Sequence, residues 1–310
     1  MRNKISYSAN ILSIRNFIFA SMFLIPLAIV HSGIDIIFIC FFCTLSCLFF
    51  DFCGHIIFQK QSKVDSSSIL TGLIIAFLLP VVAPKYFCVV ASAFAMLMVK
   101  HPFGGYGKNL FNPAAGGLAF LTVFSPKELL INPQSQNRNV LQSLKEWQAP
   151  DFDKFNMLTG NQPGPPCSVQ ILVLVGCFFY LSYNKVISQH IVWSFLTTCS
   201  FFALLFPRAG GLRFDSLSYE LFAGTLIFAA IFMLTDPVTA PKLTFSKIIY
   251  GIIAGLLTML IRYFSVLEEG VVFAIIIANS LSRKIDFTIK NIRRKNQRNE
   301  QNRTTSTFEK

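Results

Sequence analysis

Two short segments carry most of the polar atoms that could hold a ligand in this otherwise apolar chain. The first is His101-Pro-Phe-Gly-Gly-Tyr-Gly-Lys-Asn-Leu-Phe-Asn-Pro-Ala-Ala-Gly-Gly117. Gly104 and Gly105 permit positive φ and close backbone approach, and the amides of Asn109 and Asn112 suit a planar heterocycle or an ion. The same stretch also reads as a tight inner turn leading into a glycine-faced helix packed within a bundle. It is not a dinucleotide fingerprint, because no strand precedes it and the glycine spacing differs. The second segment is Thr235-Asp-Pro-Val-Thr-Ala-Pro241, with Asp236 and Thr239 as its polar side chains. An aspartate at the end of a span either caps the next turn or acts as an ionisable group at membrane depth.

Other candidates are weaker. Asp51 and His55 stand one helical turn apart, and read as a paired interfacial couple in preference to a proton relay. Cys40, Cys43 and Cys47 lie along one helix face, so they do not surround a point as metal ligands must, and read as small packing residues. Glu268 and Glu269 open the last apolar segment, where carboxylates favour a helix N-terminus. Neither a nucleophile triad, a phosphate loop nor a clustered metal site is legible.

The elements that must position these residues are membrane helices. Of 310 residues, 53% are hydrophobic and only 14% charged, well below the roughly one quarter charged in a soluble domain. Apolar segments near 16–32, 34–58, 69–83, 86–100, 112–125, 168–182, 190–206, 219–235, 248–262 and 270–282 predict an all-α integral membrane protein of about ten spans. Several are short or interrupted by Pro or Gly, which a bilayer tolerates only where protein or a polar cavity covers the backbone. The polar start, Met1–Asn10, lacks a small-residue cleavage site and does not read as a removable leader. Most of the 27 basic residues fall on one side if both termini are cytoplasmic, as the positive-inside rule requires. The basic run after Asn279 reads as a topology anchor at the lipid bilayer rather than a nucleic-acid site, since no recognition fold accompanies it.

An internal repeat divides the chain. Asp65-Ser-Ser-Ser leads to Pro80-Val-Val-Ala-Pro84, and Asp215-Ser-Leu-Ser leads to Pro237-Val-Thr-Ala-Pro241. The copies are an odd number of spans apart, which predicts two inverted-topology halves with broken helices near the midplane. The expected organisation is a first half at 1–125, an outer loop at 126–167, a second half at 168–285 and a cytoplasmic tail at 286–310. The outer loop carries balanced charge and reads as a long loop rather than a domain.

The stretches GGYGKNLFNPAAGG at 104–117, FMLTDPVTAP at 232–241 and EGVVFAIIIAN at 269–279, followed by Ile285-Asp286, stand in one order. In these the chain resembles RnfD, a membrane component of the Rnf-type ion-translocating electron transport complex. It is similar, more distantly, to NqrB of the sodium-translocating NADH:quinone oxidoreductase. The resemblance implies a bacterial inner-membrane protein that does no bond chemistry alone. It would work beside other membrane subunits, hold FMN or riboflavin, and couple electron flow between ferredoxin and NAD to cation movement. Gly104, Gly105, Asn109, Asn112, Asp236 and Thr239 are then the candidate cofactor-binding residues. The family attaches FMN to a threonine in an outer-side Ser/Asp-Gly-Ala-Thr motif, and this chain has none. Thr159, the one threonine of the outer loop, sits in Met157-Leu-Thr-Gly-Asn161, and the following segment reads Pro163-Gly-Pro-Pro-Cys-Ser168. The resemblance therefore leaves flavin to bind without a covalent link. A channel-like small-solute or ion transporter on the same scaffold is the alternative.

Overall fold

The computed structural model describes residues 2–58, 65–125, 140–265 and 270–308, and every regular element among them is a helix. Glu268 and Glu269 lie outside the described residues. The helices are α1 (Arg2–Met22), α2 (Leu24–Ser32), α3 (Asp35–Ile57), α4 (Ser66–Leu78), α5 (Tyr86–Ala93), α6 (Pro113–Phe124), α7 (Val140–Lys145) and α8 (Lys154–Thr159). They continue with α9 (Ile171–Tyr183), α10 (Gln189–Leu205), α11 (Arg213–Phe222), α12 (Leu226–Phe228), α13 (Thr244–Phe264) and α14 (Val271–Phe308). Helices α5 and α12 each widen into a π-helical turn, Phe94–Lys100 and Ala229–Met233.

Each of the ten expected segments contains helix, but 69–83 is helical only to Leu78 and 219–235 is broken between Phe222 and Leu226. Leu12–Ser32, Asp35–Ile57 and Thr244–Phe264 are long and apolar enough to cross a membrane. Arg213–Phe222 and Leu226–Met233 reach that length only as a pair bent by 63°, and the remaining apolar helices are shorter. Helix α3 shows why this is a membrane architecture. Ile36, Ile39, Cys40, Cys43, Cys47, Asp51 and Gly54 are buried on one face, whereas Phe38, Phe41, Leu45, Phe49, Phe52 and Ile56 are exposed on the other. A helix apolar on both faces, with its largest side chains outward, has hydrocarbon as its outer solvent. The protein is a multi-pass helical membrane protein.

Proline and glycine set the breaks. Leu79 is extended (φ −88°, ψ 135°), because the ring of Pro80 bars its predecessor from the helical region. At the other broken helix the chain turns at Gly224, whose φ is +69°, a value that only glycine adopts without strain. Helix α3 packs on α4 and α5, and α5 on α6; α10 packs on α11 and α13, and α13 on α14. The same pairing order thus recurs along the chain. In the second set, Cβ atoms at Gly251 and Gly255 would fall 2.8 Å from Ile191 O and 3.0 Å from Phe195 O, so glycine is what lets α10 and α13 approach.

The structure adds two features to the sequence reading. The expected outer loop is not structureless from Val140 onward. Val140, Leu141, Leu144 and Met157, on α7 and α8, form a small apolar core with Ala209 and Ala223, because their apolar faces find a partner surface at the ends of α10 and α11. The basic tail is continuous with the last helix. Helix α14 runs unbroken to Phe308, and Asp286 accepts from the amides of Lys242 (2.7 Å) and Leu243 (3.2 Å), capping the chain as it enters α13.

Candidate functional site

The three motif segments, far apart in sequence, meet at one buried polar junction. Asn112 is the N-cap of α6: its Oδ1 accepts from the amides of Ala114 (3.0 Å) and Ala115 (3.3 Å), with Pro113 in the first turn. This is the local logic of Asn-Pro at a helix start. Its Nδ2 donates to Met233 O at 3.2 Å, at the end of the π turn. Its backbone amide donates to Asn279 Oδ1 at 2.9 Å, and Asn279 Nδ2 donates to Tyr250 Oη at 2.6 Å. Four helices are thereby tied by hydrogen bonds where they would otherwise leave buried polar atoms unmet.

Beside this junction lies a cavity of about 50 Å³, lined by α1, α4, the α5–α6 connection and the segment after α12. Its polar lining is Ser67, Thr71, Lys100, Tyr106, Asn109, Asn112 and Asp236; Ile14, Phe17, Leu70, Ile74 and Phe232 supply apolar walls. Asn109 Nδ2 donates to Phe111 O at 3.2 Å, but its Oδ1 is buried without a hydrogen bond, as is Ser67 Oγ. Such atoms cost free energy unless a water, ion or ligand meets them. Asp236 is half-buried against the cavity. Its Oδ1 accepts from Val238 N (3.2 Å) and its Oδ2 from Thr239 Oγ1 (3.0 Å), so two hydrogen bonds fix the direction of the carboxyl.

Three of the six sequence candidates, Asn109, Asn112 and Asp236, therefore line one cavity. Gly104, Gly105 and Thr239 do not. Gly104 and Gly105 shape the turn below it with φ of +112° and +83°, and Thr239 is committed to Asp236. Asn112 is equally committed, its side chain spent on the cap and on Met233.

A profile described as the NQR2, RnfD, RnfE family matches residues 8–295. The chain belongs to that family. It is 30% identical over 268 residues to the RnfD protein of the ion-translocating oxidoreductase complex of Actinobacillus succinogenes, covering 72% of this chain and 75% of that one. The corresponding component of the Na(+)-translocating ferredoxin:NAD(+) oxidoreductase complex of Acetobacterium woodii is 32% identical over 224 residues, covering 69% and 68% of the two chains. The Escherichia coli RnfD protein of the ion-translocating oxidoreductase complex is 28% identical over 276 residues, covering 74% and 78%.

The flavin that this family resemblance implies can be tested against the lining. Apolar walls with few converging polar atoms are what a flat heterocycle needs, and the buried Asn109 Oδ1 and Ser67 Oγ are acceptors awaiting a donor. The donor set fits. The enclosed volume, about 50 Å³, holds only a few waters and is smaller than a flavin ring.

Two buried charge clusters escaped the sequence reading. Asp51 is 0% exposed. Its Oδ1 meets Lys100 Nζ and His101 Nε2, each at 2.9 Å, and His55 Nε2 lies 3.6 Å from its Oδ2. Single ligand-type atoms of Asp51, His55 and His101 lie within 4.8 Å of one another. Near the small apolar core of α7 and α8, Glu220 sits between two guanidinium groups. Arg208 Nε donates to Glu220 Oε1 at 2.8 Å, and Arg262 Nη1 lies 3.7 Å from Oε2 while donating to the Glu220 carbonyl at 2.8 Å. Only the Asp51–His55 spacing was legible beforehand; the other partners come from helices distant in sequence.

Proposed function

We propose that this chain is a membrane subunit of an ion-translocating electron transport complex, resident with both termini cytoplasmic in a bacterial inner membrane and associated with other membrane subunits. The observation that carries the reading is the junction of Asn112, Met233, Asn279 and Tyr250 beside the cavity that Asn109 and Asp236 line. These residues belong to the segments that match the family. The two halves and their broken helices are read as an inverted repeat, the arrangement that puts ion sites near a membrane midplane.

The chain also holds a flavin in this reading, without a covalent link. Bound flavin supplies one- and two-electron transfer, which no side chain here provides. Asn109 Oδ1 and Ser67 Oγ would meet polar atoms of the bound group, Phe17 and Phe232 would keep water from it, and Asn112 holds the wall at the start of α6. Asp236 places a carboxylate at the end of the broken helix, where a cation can be held without crossing hydrocarbon.

The alternative, a transporter without redox function, draws support from the small cavity and the absent threonine motif. One experiment separates them. The complex is isolated from its own membrane, reconstituted in vesicles, and cation uptake is followed with and without reduced ferredoxin and NAD. Uptake that needs both, and disappears when this chain is deleted, is the expected result. Uptake that proceeds down a gradient with no electron donor would assign the transporter instead.

A further inference from the structure

The Asp51 cluster shares a residue with the cavity. Lys100 Nζ binds Asp51 Oδ1 and, at 2.8 Å, Ser68 Oγ, and the same side chain lines the cavity with Asn109 and Asp236. The cluster is built rather than accidental. A Cβ at Gly54 would fall 2.2 Å from His101 Cδ2, so glycine at that position is what admits the imidazole. Phe58 stacks on the same ring, with centroids 6.0 Å apart and planes 11° from parallel. Asp51 Oδ2 is buried without a hydrogen bond. His55, 10% exposed, is the most exposed member of the cluster.

Charge decides what such a cluster takes up. Among the described residues, the titratable groups facing it are Cys47, Asp51 and His55 on α3, Asp65 at the foot of α4, and Lys100 and His101 after α5, with the Cys47 thiol uncharged. Two carboxylates against one ammonium leave one negative charge, and one proton on the imidazole pair cancels it. A divalent metal would overshoot to net positive, beside an ammonium already held on the same carboxylate. Buried clusters of this kind favour the balanced state.

We propose that Asp51, His55, His101 and Lys100 form a proton-loading site that supplies the cavity. A proton bound at His55 Nε2 passes to Asp51 Oδ2, and rotation of the carboxyl presents it toward Lys100. Lys100 releases one Nζ proton to water in the cavity and takes its replacement from Asp51, and His101 closes again on Oδ1 when the carboxyl turns back. Each group returns to its starting state, one proton has moved, and no electron is transferred. The inference deepens the reading above and rests on it only for what the proton serves.

The test uses the whole complex in lipid nanodiscs and in vesicles, as wild type, Asp51→Asn and His55→Gln. Without any electron donor, infrared difference spectra between about pH 5 and pH 8 report imidazole and carboxyl protonation. A coupled signal in the wild type that Asp51→Asn abolishes is expected. During donor-driven turnover, proton uptake from the α3 end falls about tenfold or more in His55→Gln and recovers with added imidazole, which a purely structural role would not allow. Uptake within twofold of wild type in both variants, with the infrared signal unchanged, overturns the proposal. So does stoichiometric metal in the purified complex that His55→Gln removes. If the wild type shows no donor-driven turnover, the proposed function fails, and the infrared signal still decides the proton site.

Discussion

Replacing Asn112 separates two jobs that one side chain performs. Its Oδ1 caps α6, and its Nδ2 satisfies the Met233 carbonyl at 3.2 Å. Asn112→Ala removes both. Loss of the cap costs about 1 kcal/mol, and leaving the Met233 carbonyl unmet in a buried site costs roughly another 1–2 kcal/mol, for a total of about 2–3 kcal/mol. Asn112→Ser keeps an acceptor at the cap and loses the second bond, so it recovers about 1 kcal/mol relative to alanine. Asn112→Asp keeps the cap but turns an oxygen toward the Met233 carbonyl at a position 4% exposed. A buried charge facing an acceptor costs several kcal/mol, so aspartate ranks last despite its favourable place at a helix N-terminus. Reversible unfolding of the purified protein in mixed micelles, read by circular dichroism, gives the order Asn, Ser, Ala, Asp. Aspartate as stable as asparagine, or serine no better than alanine, would refute the assignment of these two bonds.

Gly54→Ala displaces the His101 ring, since its Cβ would lie 2.2 Å from Cδ2. It should lower stability by about 1–3 kcal/mol and move the His101 signal in histidine NMR; an unchanged signal would contradict the packing. Glu220→Gln leaves the guanidinium groups of Arg208 and Arg262 buried without their counter-charge, and should cost about 3–5 kcal/mol in the same unfolding measurement. A loss below about 1 kcal/mol would mean that the cluster is hydrated. Flavin is expected in the purified complex but released from this chain on denaturation, with Asn109→Ala retaining it about tenfold more weakly. A fluorescent band surviving a denaturing gel would instead reveal a covalent link.

Much of the fold was legible because membrane helices declare themselves locally. The apolar face and the lipid face of α3 are both written in its composition, and the helix breaks follow from Pro80, Pro113 and Gly224 through backbone sterics alone. The outer loop was less legible. Its two short helices are too polar to stand out, and they gain an apolar partner only when the ends of α10 and α11 arrive.

The sequence by itself therefore determined the class of protein, its helices and their interruptions, and, through three separated motifs, its family. Tertiary structure alone decided which polar side chains work together. It put Asn109, Asn112 and Asp236 on one cavity, turned Gly104, Gly105 and Thr239 to shaping turns, and brought Lys100 and His101 to Asp51. The physical reason is that a helix's own periodicity fixes which residues share a face, but the partner each face meets depends on how neighbouring helices rotate and approach. At Gly54 that approach hinges on one missing Cβ, whose importance appears only when the His101 ring is seen lying against it.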